Sequence, residues 1–177
     1  MTKIYNLKNQ KGYSLIEMMV VVVILGLIVL GLVTFFTGGA KSWVAGQSQL
    51  TAQRNARQAI DIMVREIREG ENVISGSDSD TIVVSIPALG SELAYDVTYS
   101  LSDTRIKRGT TPLIDNVLTE SGESLFKYYN SVGTEVTSPD SNVSKVHINL
   151  KVDVDKDSNP DVTLNTDVNL RNYGLPE

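Results

Sequence analysis

Apolar residues dominate one stretch near the start of the chain. Between Met18 and Val33 no side chain is polar, and the apolar run continues to Phe36 apart from Thr34. A helix over this run would be roughly 28 Å long at about 1.5 Å per residue, close to the thickness of a membrane's hydrocarbon layer. The pattern therefore predicts a membrane-spanning helix.

An amphipathic pattern follows this run and continues to about Asn72. Apolar residues recur at steps of three and four, as in a helix with one buried face. They are Ala52, Ala56, Ile60, Met63 or Val64, and Ile67. The charged positions opposite are Arg54, Arg57, Asp61, Arg65, Arg68 and Glu69. We expect one helix from Leu15 to Asn72, with ion pairs between charged residues four apart on its second half.

The period changes to two after a Ser, Gly and Asp cluster at residues 76–80, which predicts strands. Residues 81–86 are a short β-rich run, and residues 93–101 alternate between apolar and polar side chains. A turn at Ser102 and Asp103 would lead back through residues 104–108 as a hairpin. The clearest strands are residues 145–154 and 162–170, and residues 125–129 form a weaker one. These strands predict one antiparallel sheet on the second half of the helix, an α+β fold.

The residues before the apolar run carry charge of one sign. Residues 1–12 contain Lys3, Lys8 and Lys11 and no acidic residue, which predicts a cytoplasmic N-terminus and an exported remainder. Glu17 lies at the top of the predicted membrane helix, directly before the apolar run, where a carboxylate is costly and usually faces a partner. A cut after Gly12 would leave an amino group about one helical turn before Glu17, and the two opposite charges would offset part of that cost.

The segment from Lys11 to Val21, Lys-Gly-Tyr-Ser-Leu-Ile-Glu-Met-Met-Val-Val, resembles the prepilin-type cleavage and methylation motif of type IV pilins and type II secretion pseudopilins. The resemblance implies that a prepilin peptidase cuts after Gly12 and methylates Tyr13, where the family usually has phenylalanine. It implies that Glu17 guides assembly with other pilin subunits. The expected location is the cytoplasmic membrane, with the C-terminal domain outside, and then an extracellular filament.

This resemblance implies a pilin-like division of the chain. Residues 1–12 would be the leader, residues 13–40 the transmembrane and assembly half of the helix, residues 41–74 its amphipathic half, and residues 75–177 the β domain. The stretch Arg65 to Arg68 (Arg-Glu-Ile-Arg), the strand Phe126 to Tyr129 and the final strand are also similar to minor pilins of the W type and pseudopilins of the J type. The implied function is a structural subunit, and a minor one.

Three other interpretations fit parts of the sequence. A conventional signal peptide would be cut near residues 38–40, Gly-Gly-Ala, but Glu17 inside the apolar segment argues against it. In a plain single-pass anchor, Glu17 would only reach to the interface. A membrane-anchored extracellular adhesin or ligand-binding domain is the alternative function.

Composition and net charge exclude several classes of function. The 177 residues carry a net charge of −5, and without the leader's three lysines 13 basic residues face 21 acidic ones, about −8. Such a chain is not expected to bind nucleic acid. The absence of cysteine excludes thiol catalysis and thiolate metal sites. We expect no enzyme and no cofactor.

Two polar features remain as candidate sites. Asp153, Asp155, Asp157 and Asp161 are spaced like the start of a calcium loop, but Ser158 and Leu164 stand where an EF-hand needs glycine and glutamate. A plain acidic turn is the favoured interpretation, with calcium the weaker one. His147 is the only histidine and falls on the polar face of its strand, so we expect a solvent-facing residue.

Overall fold

The computed structural model describes residues 12–88, 90, 92–119, 122–139 and 142–174. It divides into two compact units, Met1–Val44 and Ala45–Glu177, and one helix, α1 (Leu15–Glu69), contributes to both. The predicted single helix is confirmed. Gly26, Gly31, Gly38 and Gly39 all lie inside it without a break. Most of the predicted leader, residues 1–11, lies outside the described residues.

The end of α1 differs from the sequence prediction. The helix ends at Glu69 and not near Asn72, because a glycine, Gly70, follows directly and disfavours continuation of the helix. A Cβ atom at Gly70 would be 2.2 Å from Val84 Cγ1, so any larger residue requires Val84 to shift. The chain then turns into a short strand, β1 (Asn72–Val73), which pairs with β2 (Thr81–Ile86).

Five strands form the first antiparallel sheet, in the order β1-β2-β3-β4-β5. The remaining three are β3 (Tyr95–Ser102), β4 (Arg105–Arg108) and β5 (Thr111–Ile114). The predicted hairpin is confirmed as β3 and β4. Asp103 adopts a positive φ of 57° in its turn, a conformation that Asp tolerates better than most residues.

A second antiparallel sheet has the order β7-β6-β8-β9. Its strands are β6 (Phe126–Tyr129), β7 (Glu135–Val136), β8 (Lys145–Val152) and β9 (Val162–Asn169). The prediction of one sheet was therefore wrong, although every strand pair is antiparallel as expected. The chain after β5 bridges Val117 to Val152 of β8 and does not extend the first sheet, a choice of partner that alternation alone does not encode.

One core joins the second half of α1 to both sheets, which confirms the α+β, pilin-like fold. The helix buries a single face. Its buried residues are Ala52, Ala56, Ala59, Ile60, Met63 and Ile67. Tyr99 and Phe126 are the largest side chains buried by the sheets, at no more than 1% exposed.

The C-terminal segment completes the end of α1. The backbone N–H of Arg171 donates to Arg68 O at 2.8 Å, and Asn172 Nδ2 donates to Glu69 O at 2.8 Å. The last carbonyl groups of a helix have no intrahelical partner, so these two bonds satisfy groups that would otherwise be left unpaired. The segment that follows β9 is thus hydrogen-bonded to the C-terminal end of α1.

Candidate functional site

The first turn of α1 is closed by a hydrogen bond between its start and Glu17. Ser14 is the N-cap residue, and its carbonyl accepts from the N–H of Met18 at 3.2 Å. Its own N–H donates to Glu17 Oε2 at 2.9 Å. Ser-x-x-Glu is the capping-box pattern, in which the carboxylate at the third helical position satisfies a donor at the helix start. Glu17 therefore caps the N-terminal end of α1.

Gly12 and Tyr13 precede the helix and are accessible. Both residues lie in irregular chain, and Tyr13 is 84% exposed. The peptide bond between them therefore lies outside regular structure. The structure places this bond two residues before the first helical residue, Leu15.

The apolar run of α1 is fully exposed in the described chain. Every residue from Leu15 to Phe36 is exposed, although nearly all are apolar. Among the described residues this is the one helix long and apolar enough to cross a membrane. Thr34 and Thr37 donate their hydroxyl hydrogens to Leu30 O and Val33 O, both at 2.9 Å, which satisfies these groups inside the helix. Such a surface suits a hydrocarbon environment.

The acidic loop after β8 is held together by its own carboxylates. Asp153 is buried, and its two oxygens accept the N–H groups of Lys156 at 2.7 Å and Ser158 at 2.9 Å. Asp161 Oδ2 accepts from Val154 N at 2.8 Å. These bonds are those of a structured turn, and they engage the carboxylates that the sequence singled out.

Three of the four loop aspartates converge. Oxygen atoms of Asp153, Asp155 and Asp161 lie within 4.8 Å of one another, and Asp157 is not part of that group. Desolvation, together with the charges of Asp157 and Asp161, raises the pKa of the Asp155 carboxyl. A hydrogen bond from the Asn159 N–H lowers the pKa of Asp157. The donor set is one that calcium accepts, but three clustered carboxylates alone do not make a site.

His147 lies on the polar face of β8, as predicted, and has a partner there. Its Nδ1 atom is 2.6 Å from Asp167 Oδ1 on β9, and its side chain is 30% exposed. This hydrogen bond, aided by Lys145, lowers the pKa of the Asp167 carboxyl. The pair fixes neighbouring strands and contains neither a nucleophile nor a second imidazole.

A polar cluster that the sequence did not reveal links α1 to the first sheet. Glu66 accepts hydrogen bonds from the Tyr99 hydroxyl and from Arg108 Nε, the latter at 2.9 Å. Desolvation opposes the charge, but the hydrogen bonds from Arg108 and Tyr99 lower the pKa of Glu66. Desolvation and Glu66 raise the pKa of Tyr99. Only the helical position of Glu66 beside the buried stripe hinted at this role.

The same structure lacks the ion pairs predicted along the helix. Among the described residues, neither Arg57 nor Arg65 lies within 4.0 Å of the Asp61 carboxylate, and Arg65 does not pair with Glu69. The prediction of ion pairs four residues apart was wrong. Exposed pairs of this kind contribute little free energy, so nothing compels the side chains to meet.

Comparison with known families gives one match, at the N-terminal site that contains Gly12, Tyr13 and Glu17. Residues 7–33 match the family model described as the prokaryotic N-terminal methylation motif. This match covers Gly12, Tyr13, Glu17 and most of the apolar run. The chain is therefore a protein with a prepilin-type N-terminal segment, and its apolar helix indicates membrane anchoring.

The motif supports a relationship of this N-terminal segment to type IV pilins and pseudopilins. No curated protein and no solved structure matches the chain. The similarity to W-type minor pilins and J-type pseudopilins stays a prediction.

Proposed function

We propose that the chain is a structural subunit of a type IV pilus or a related pseudopilus, assembled through its apolar N-terminal helix after the leader has been removed. The match of residues 7–33 to the methylation motif carries this proposal. The exposed apolar face of α1 supports it, since such helices can bundle in lipid and then in a filament core. The function is mechanical, and no catalytic role or cofactor is assigned.

Processing is the first step of the proposed pathway. A prepilin peptidase cuts between Gly12 and Tyr13 and methylates the new amino group of Tyr13. The accessible, irregular chain at this bond supports the assignment. Until processing and assembly, the subunit spans the cytoplasmic membrane with its β domain outside.

Glu17 then serves two purposes. Its Oε2 atom accepts the Ser14 N–H, while no hydrogen bond to Oε1 is present among the described residues. That second oxygen is available to the terminal amine of a neighbouring subunit, and the charge pair would set the axial register of the two helices. A buried carboxylate without such a partner would carry a cost of several kcal/mol in lipid.

The finer assignment is a minor subunit, present in fewer copies than the main subunit of the filament. The similarity to W-type minor pilins and J-type pseudopilins supports this assignment. Its partners are the other pilin subunits, the prepilin peptidase and the assembly machinery in the membrane, and no nucleic acid is assigned. Quantitative mass spectrometry of purified filaments tests it, because a minor subunit is outnumbered by another pilin.

Fractionation of cells tests the function as a whole. The processed chain is expected in sheared or purified filaments, and Gly12→Val is expected to hold it in the membrane fraction. A wild-type chain that stays in the membrane while its exported domain binds a glycan or a surface would instead support an anchored adhesin and overturn the proposal.

A further inference from the structure

The half of α1 that packs on the sheets carries a row of arginines on its outer side. We call this row, with the acidic residue in its middle, the arginine stripe. It consists of Arg54, Arg57, Asp61, Arg65 and Arg68. All five are exposed. At about 100° per residue they fall within roughly 80° of arc, so the stripe is a continuous surface about 21 Å long.

The stripe lies away from the buried face of the same helix. Ala56 and Met63, at the centre of the buried face, have no exposed surface. All four arginines are exposed, and among the described residues none forms an ion pair. The charge of Arg65 helps to lower the pKa of the Glu66 carboxyl, and the described structure gives the other three arginines no charged partner within the domain.

The charge of the stripe contrasts with that of the rest of the unit. The stripe has four basic residues and one acidic residue, a net charge of +3. The remainder of residues 45–177 has 8 basic and 19 acidic residues, a net charge of −11. A copy of the same domain therefore offers an excess of acidic residues outside its own stripe. Complementary charge of this kind steers association and fixes which surfaces meet.

From this complementarity we infer that the arginine stripe is a docking surface for the acidic surface of a second copy of the chain. The two surfaces differ, so the contact is heterologous, and repetition of a heterologous contact that does not close gives an open helical filament. The inference rests on the proposed function as a filament subunit, and it requires that copies enter the filament next to one another.

Chemical crosslinking tests the contact directly. Arg57→Lys and Arg65→Lys keep the charge and supply amines that a carbodiimide couples to a touching carboxylate. We expect the full-length double variant, in filaments and in isolated membranes, to give a covalent dimer in which one of the two introduced amines is joined to an Asp or Glu of the other copy. Coupling within one chain only, to a different protein, or to nothing overturns the inference.

Charge reversal supplies the second measurement. Arg57→Glu with Arg65→Glu changes the stripe from +3 to −1, and we expect at least a tenfold loss of incorporation into filaments. The matched control, Lys107→Glu with Lys127→Glu, makes the same change of net charge on the two sheets and should incorporate normally. Equal incorporation of both double variants overturns the inference.

The two hypotheses fail in different ways. A processed wild-type chain in filaments, with no effect of stripe reversal, removes the docking surface and leaves the subunit role intact. A wild-type chain absent from filaments removes the subunit role, and the dimer crosslink in membranes then decides the docking surface on its own.

Discussion

The backbone N–H of Ser14 and the carboxylate of Glu17 are joined by a 2.9 Å hydrogen bond that closes the first turn of α1. An unpaired donor at a helix start inside or near lipid is costly, so this bond gives Glu17 a role within its own subunit. The residue that would pair with a neighbour's amine in a filament thus also caps its own helix.

Glutamine separates these two roles. Gln also completes a capping box, so Glu17→Gln should keep the bond to Ser14 but lose the charge, whereas Glu17→Ala loses both. We expect both variants to insert and to be processed normally, and both to enter filaments at a level reduced at least tenfold. Immunoblots of membrane and filament fractions measure this. Normal incorporation of Glu17→Gln would show that capping, and not charge, is what assembly requires.

Glycine at the cleavage position has a direct test in this chain. A side chain at Gly12 would obstruct the peptidase, so Gly12→Val should leave the leader attached. Gly39→Val is the matched control, because residues 38–40 are where a conventional signal peptide would be cut and the structure places them inside α1. Intact mass measurement distinguishes the forms. Loss of processing in Gly39→Val alone would contradict the assignment of the leader.

The end of the helix depends on the small size of Gly70. A Cβ atom there would lie 2.2 Å from Val84 Cγ1, so Gly70→Ala should lower the free energy of unfolding by about 1–3 kcal/mol. Gly46 lies inside α1 with open space around it, and Gly46→Ala should raise that free energy by up to about 1 kcal/mol. Denaturant unfolding of the full chain in detergent measures both. A neutral Gly70→Ala would mean that the contact with β2 relaxes easily.

The free energy of unfolding should depend on pH through the carboxylate of Glu66. Its pKa is lowered below the ordinary value of 4.5, so the stabilisation is fully present above that pH and disappears as the pH falls through the lowered value. Glu66→Gln should lose about 1–2 kcal/mol at neutral pH and show a flatter decline in acid. Glu69→Gln, one turn away on the same helix, should behave like the wild type. Parallel pH curves for Glu66→Gln and the wild type would contradict the account.

The acidic loop after β8 should be stabilised by its own hydrogen bonds. Asp153→Ala leaves the N–H groups of Lys156 and Ser158 without their acceptor, a loss of about 1–3 kcal/mol. We expect the loss to be the same in calcium and in chelator. Calorimetric titration that shows heat on addition of calcium, absent in Asp155→Asn, would instead establish a metal site.

The helices and strands in which apolar residues recur at regular spacing were predictable from the sequence. The apolar run, the buried stripe from Ala52 to Ile67 and the strands β8 and β9 follow directly from spacing, because each buries one face. The Ser14 to Glu17 bond was also within reach, since Ser-x-x-Glu before an apolar run is a known pattern of helix starts.

Pairings between distant segments were not predictable. Nothing local shows that Val117 meets Val152, or that the strands divide into two sheets. The contacts of Glu66 with Tyr99 and Arg108 join residues 33 and 42 positions apart. Such contacts depend on the packing of the whole domain. The end of the helix is a different case, because a glycine directly after the last helical residue is a local stop signal and Gly70 holds that position.

Mass spectrometry of the N-terminal peptide, from protein isolated from its own cells, tests the central claim most directly. The account predicts a mature chain that begins at Tyr13 and carries one added methyl group on its terminal nitrogen. A chain that begins at Met1, or beyond Ala40, would contradict it.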